Sequence, residues 1–133
     1  MPHIIIEYSD RLADRVNMKD LSKTLARVAV DTGVFELAGV RVRCHRVEDY
    51  VIADAHPDNA FIHAMVRIGH GRDLKTRKVA GQAIFDALTG YLSEEFKRGP
   101  IAVSLEIDEI HPDLNFKSGN IREYLSARKG KDR

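Results

Sequence analysis

At 133 residues the chain has the size of one domain built on a single modest core. Charged residues make up 31% and hydrophobic ones 44%, and the net charge is only +1, a balance that gives no bulk attraction to nucleic acid. A single cysteine, Cys44, excludes an intrachain disulfide and fits a reducing, cytoplasmic setting; the run Ile4-Ile5-Ile6 is too short for a signal-peptide core, and no apolar stretch reaches the roughly 18 residues of a membrane span.

Ile4 to Tyr8 is a β-branched run bounded by Ser9 and Asp10, and it predicts a buried strand. Leu21, Leu25, Val28 and Ala29 then recur at helical spacing, with Asp20 as the expected N-cap and Gly33 where a left-handed C-terminal residue belongs. From Val40 to Val47 the pattern alternates, placing Val40, Val42 and Cys44 on one strand face and Arg41, Arg43 and His45 on the other. Ala60 to Ile68 predicts another strand, broken by Gly69-His70-Gly71-Arg72, with Asp73 as the next N-cap. A stripe of Ala80, Ala83, Ile84, Ala87, Leu88, Tyr91, Leu92 and Phe96 predicts one long helix, ended by Gly99-Pro100. Ile101 to Ile107 alternates again as a strand. His111 to Leu125 mixes Pro112, Asn115, Gly119 and Asn120 with apolar residues, which predicts an irregular arm and a short terminal helix. Residues 127–133 are expected to form a basic, flexible tail.

The order is thus β-α-β followed by β-α-β within one domain, residues 1–133. An α/β (α+β) architecture follows: a four-stranded main sheet with two helices on one face. That packing leaves the other sheet face bare, so oligomerisation through the sheet, with the C-terminal arm crossing to a neighbour, is expected.

Met1-Pro2 is the most informative dipeptide, because methionine is usually trimmed before a small second residue and would leave proline as a secondary amine. An α-amine titrates near 7.7 to 8.0, roughly, and burial or nearby cations lower that value, giving a base that is neutral at physiological pH. Alone, the same proline also serves simply to open a strand, where its missing N–H costs nothing. Arg41 and Arg43 on a strand face and Arg72 in the glycine turn are candidate carboxylate holders, although an isolated arginine more often faces solvent. His3, His45, His56, His63, His70 and His111 show no metal-ligand spacing, so no metal is expected. Gly69-His70-Gly71 lacks the third glycine of a dinucleotide fingerprint, which leaves no cofactor motif. Ser9, Ser22, Ser93, Ser104, Ser118 and Ser126 lack the glycines of a nucleophile elbow, and Cys44 on the apolar face reads as structural.

Four blocks in order extend these features. They are Met1-Pro2-His3-Ile4-Ile5-Ile6-Glu7-Tyr8-Ser9-Asp10, Leu37-Ala38-Gly39-Val40-Arg41-Val42-Arg43, Ile68-Gly69-His70-Gly71-Arg72, and Glu109-Ile110-His111-Pro112-Asp113-Leu114-Asn115-Phe116-Lys117. Together they resemble the 5-carboxymethyl-2-hydroxymuconate isomerases of the tautomerase superfamily. The resemblance implies a cofactor-free, metal-free homotrimer in which Pro2 is the catalytic acid–base and Arg41 and Arg72 bind and polarise the substrate. It also implies the isomerisation of a tricarboxylate dienol in homoprotocatechuate breakdown, with Arg43 outside the carried-over set. Two other readings remain: a tautomerase of 2-hydroxymuconate or a phenylpyruvate-type enol, and a non-catalytic βαβ binding module.

Overall fold

A computed structural model describes residues 2–131. Strand β1 spans His3–Ser9 and alternates as far as Tyr8, with Ile4, Ile6 and Tyr8 buried while Glu7 faces out; Ser9 at its end is buried too. Helix α1 spans Met18–Asp31 and buries Leu21, Leu25 and Ala29. Its cap is Asn17 rather than the expected Asp20, since the Asn17 side chain accepts the Asp20 amide at 3.0 Å. Asp20 instead occupies the first turn, where a negative charge suits the positive end of the helix, and accepts the Tyr91 hydroxyl at 2.8 Å. Gly33, at φ +76°, leads the chain out of α1 as expected.

Strand β2 runs Arg41–Val47 and β3 runs Ala60–Gly69. Helix α2, Leu74–Tyr91, starts at the expected cap, where the Asp73 carboxylate accepts the Thr76 amide at 2.7 Å and is thereby held below its usual pKa. The predicted single helix is in fact two. At Leu92 the backbone turns to φ −93°, ψ 10°, and a separate helix α3 covers Ser93–Arg98. That break keeps Leu92 fully buried but swings Phe96 out to 49% exposure, so Phe96 does not belong to the core stripe. Strand β4 spans Ile101–Ile110, followed by a 3-10 turn at Pro112–Leu114 and helix α4 at Ile121–Lys131. Of the tail expected over 127–133, residues 127–131 continue α4, and the last two lie outside the described residues.

The strands form one sheet in the order β2-β1-β3-β4. β1 pairs with β2 in parallel and β3 with β4 in parallel, as each β-α-β crossover requires, while β1 and β3 join the two units antiparallel. α1 and α2 cover one face over a core of Ile4, Ile6, Leu21, Leu25, Ile62, Val66, Ile84 and Leu88. Each such side chain stabilises the fold by about 1.5–3 kcal/mol through burial.

The uncovered face can be read off the register in rows. Arg41, His3, Arg67 and Asp108 stand side by side across the four strands, then Arg43, Ile5, Met65 and Glu106, then His45, Glu7, His63 and Ser104. Cations gather on the β2 margin and carboxylates on the β4 margin.

Candidate active site

The start of β1 lies at the end of the sheet shared by the start of β2 and the finish of β3 and β4. Pro2 is buried there, and its carbonyl accepts the Arg41 amide at 3.0 Å, forming the first rung between β1 and β2. The helix-facing register carried on from Ile4↔Val66 brings Pro2 opposite Ile68. Beyond Ile68 the chain turns through Gly69 and Gly71, the latter at φ +120°, a conformation that an L side chain resists.

That turn delivers Arg72. Its guanidinium donates to the Gly69 carbonyl at 3.3 Å and to the Val34 carbonyl at 3.2 Å, and it lies over the Phe35 ring with 5.1 Å to the centroid. The loop after α1 therefore presents Val34 and Phe35 to the end of the sheet where Pro2 sits. Arg41 Nη1 donates to the Gly39 carbonyl at 2.7 Å. Among the described residues neither Arg41 nor Arg72 has a carboxylate within ion-pair distance. Carbonyl dipoles and, for Arg72, an aromatic face orient these guanidiniums without an opposing charge, and a planar fork of this kind is suited to an incoming carboxylate.

His3 reports the local field. Burial first, then the charges of Arg43 and Arg41, hold its imidazole below the ordinary value. Arg43 Nη1 donates to His3 Nδ1 at 3.1 Å, which fixes that nitrogen as an unprotonated acceptor. Arg43, outside the set that the resemblance implies, thus shapes the electrostatics of the strand tip through His3.

The structure brings Pro2 and Arg41 together through a backbone hydrogen bond and places Arg72 across the Gly69 turn at the same sheet end. It separates the histidines: His45 and His63 lie two strands apart on the open face, and His56 and His111 are in turns. No group of His, Cys, Asp and Glu suited to a metal exists among the described residues. Cys44 is half-buried, its thiol lies 3.3 Å from the Ser22 hydroxyl, and burial raises its pKa, the reverse of what a nucleophile needs. No helix among the described residues is long and apolar enough to cross a membrane.

Sequence reasoning missed one buried charge. Glu95, 7% exposed, receives Arg15 at 2.8 Å and Arg98 at 3.5 Å at the opposite end of the sheet, beside a pocket of about 230 Å³. Arg15 Nε reaches Oε1 off the line of its N–H, so this contact is an ion pair rather than an aligned hydrogen bond. Glu95 stands three residues after Leu92, on the inward side of the helical repeat, and that position is the one signal the sequence carries.

A family model described as 5-carboxymethyl-2-hydroxymuconate isomerase matches residues 2–125. The 5-carboxymethyl-2-hydroxymuconate Delta-isomerase of Escherichia coli is 36% identical over 121 residues, covering 91% of this chain and 96% of that protein. A crystal structure of a 5-carboxymethyl-2-hydroxymuconate isomerase from Deinococcus radiodurans R1 superposes with a TM-score of 0.87 at 32% identity, over 93% of each chain. A second crystal structure, of a 5-carboxymethyl-2-hydroxymuconate delta-isomerase, gives a TM-score of 0.87 at 25% identity over 94% of this chain and 93% of that one.

Proposed function

Since the chain belongs to the 5-carboxymethyl-2-hydroxymuconate isomerase family and is an isomerase, we propose that it converts this tricarboxylate dienol to its conjugated ketone in homoprotocatechuate catabolism, using the Pro2 amine as acid and base. The reaction is a proton transfer with no net redox change. The neutral Pro2 nitrogen takes the proton of the enol hydroxyl, the electron pair moves through the diene as the C=O forms, and the same nitrogen returns the proton to carbon. Arg41 and Arg72 hold carboxylate and oxygen, and stabilise the dienolate while charge builds on it.

One observation carries this reading: a buried Pro2 forms the first rung with Arg41 at the sheet end that also holds Arg72, and both guanidiniums lack acidic partners among the described residues. Once Met1 is removed, burial and the positive field both disfavour the ammonium form of the Pro2 amine, the direction that a neutral base requires. The residues that act belong to the chain itself, and no cofactor enters the scheme.

The oligomer proposed is a homotrimer. On the open face the basic β2 margin complements the acidic β4 margin, so the margin of one copy meets the opposite margin of the next, and a ring of copies closes. Leu114 and Phe116 on the arm, the latter 88% exposed, supply apolar surface for a neighbour. A small carboxylate substrate and a cytoplasmic setting complete the proposal.

Pro2→Ala tests the chemistry. With fold and assembly retained, the variant is expected to lose about 10² to 10⁴ in kcat, and full activity would overturn the role of Pro2. Turnover of tricarboxylate against dicarboxylate dienols separates this substrate from smaller tautomerase substrates.

A further inference from the structure

The arm after β4 folds back past the 3-10 turn Leu37–Gly39 and encloses with it a cleft of about 620 Å³. Arg41 lies on one wall with Ala38 and Gly39, and Lys117, Asn120 and Arg122 lie on the other. Three cations thus face this cleft against the single carboxylate of Glu123. Arg122 is already paired with Glu36. Lys117 has no ion pair or hydrogen bond among the described residues.

Arg41 belongs both to this cleft and to the strand tip at Pro2, so a substrate held by Arg41 has the cleft as its continuation. Arg72 lies outside the cleft, on the Val34 and Phe35 side. The two guanidiniums are taken up by a carboxylate and the oxygen of the reacting end, and 2-hydroxymuconate carries two carboxylates in all. The substrate proposed above carries a third, on its carboxymethyl branch, which is absent from 2-hydroxymuconate. A flexible ammonium with three donors can follow a branch that varies in conformation, as a planar fork cannot.

We propose that Lys117 is the specificity-determining residue that binds the carboxymethyl carboxylate, so that the arm selects tricarboxylate over dicarboxylate dienols. This inference rests on the isomerase reading for the identity of the substrate.

The test compares wild type, Lys117→Gln and Lys117→Arg on both dienols. Lys117→Gln is expected to raise KM for the tricarboxylate about tenfold, the size of one charge-assisted contact in a partly wet site. Its kcat should stay within about twofold, and its kinetics on the dicarboxylate should not change. Lys117→Arg restores the charge but not the adaptable ammonium, and should recover only part of the loss. An equal effect on both substrates would make Lys117 a structural support of the arm and overturn the proposal, as would no effect on either.

Calorimetric binding of two unreactive probes, tricarballylate and glutarate, separates this inference from the reaction assignment. If the wild type isomerises neither dienol yet prefers tricarballylate in a Lys117-dependent way, the assigned reaction falls and the subsite stands. If turnover is normal but the tricarboxylate preference survives in Lys117→Gln, the subsite falls and the reaction stands.

Discussion

The two ends of the sheet hold arginines in opposite circumstances. At the end where β1 begins, Arg41 and Arg72 donate to the carbonyls of Gly39, Gly69 and Val34 and meet no carboxylate among the described residues. At the other end Arg15 and Arg98 flank Glu95, and Arg11 lies 3.6 Å from Asp58. Both ends carry a concavity lined by arginine, but only the end where β1 begins holds two, Arg41 and Arg72, that have no carboxylate partner among the described residues. Carbonyls orient a guanidinium without neutralising it, whereas a buried carboxylate cancels it and makes it part of the scaffold. The partner of an arginine, more than its presence in a pocket, therefore separates a binding group from a structural one.

The sharpest way to break this contrast is to remove a cation from each end. Arg41→Ala is expected to lower kcat/KM on the dienol about a hundredfold, the scale of losing one oxyanion-stabilising donor, with little change in Tm. Arg15→Ala should leave kcat/KM unaltered. Comparable activity losses from the two variants, measured by steady-state ketonisation, would erase the distinction.

The next effect is on stability. Glu95→Ala leaves Arg15 and Arg98 without their shared carboxylate and is expected to cost about 2 kcal/mol, less than a fully buried pair because both arginines reach solvent. That corresponds to a fall in Tm of about 6 °C, readable by calorimetry, with catalysis preserved. A stable but inactive Glu95→Ala protein would place function at the wrong end.

The smallest effect is a titration. His3 is held below its ordinary pKa of 6.5 by burial and by Arg43 and Arg41. A lowered folded value means that the unfolded chain binds the proton first as pH falls. The His3 contribution to stability is therefore complete above about pH 6.5 and declines as pH drops toward the folded value. Arg43→Gln should move the His3 midpoint upward in an NMR titration, with the dicarboxylate and tricarboxylate KM ratio unchanged. An unmoved midpoint would deny the uncompensated positive field at the strand tip.

Periodicity made most of this architecture legible, because strands such as Ile4–Tyr8 and helices such as that after Asp73 bury one clean face. The misassigned cap has a definite cause: Asn17 and Asp20 offer the same capping oxygen, and Met18 and Lys19 add no periodic signal between them. The break at Leu92 leaves no local signal, since neither Leu92 nor Ser93 is a breaker; what marks it is the full burial of Leu92 in the core while Phe96 turns outward. Glu95 was illegible for a different reason, as its partner Arg15 is eighty residues away and nothing local announces a buried carboxylate. Of the candidate site, Pro2, Arg41 and Arg72 were named from residue type and family pattern. Their common sheet end depends on strand order and register, which no local motif carries. Lys117 stands out in the sequence only as part of a matching block, and its cleft exists because the arm doubles back on the Leu37–Gly39 turn.

Pro2 takes part in the sheet through its oxygen alone, as the recipient of the Arg41 amide. Scaffold duty and the proposed reactivity thus fall on different atoms of one residue: the acyl side anchors, and the pyrrolidine nitrogen owes nothing to the ladder. Evolution or an experimenter can therefore exchange this residue and perturb chemistry while the strand pairing persists, a separation that few reactive groups embedded in a β-sheet enjoy.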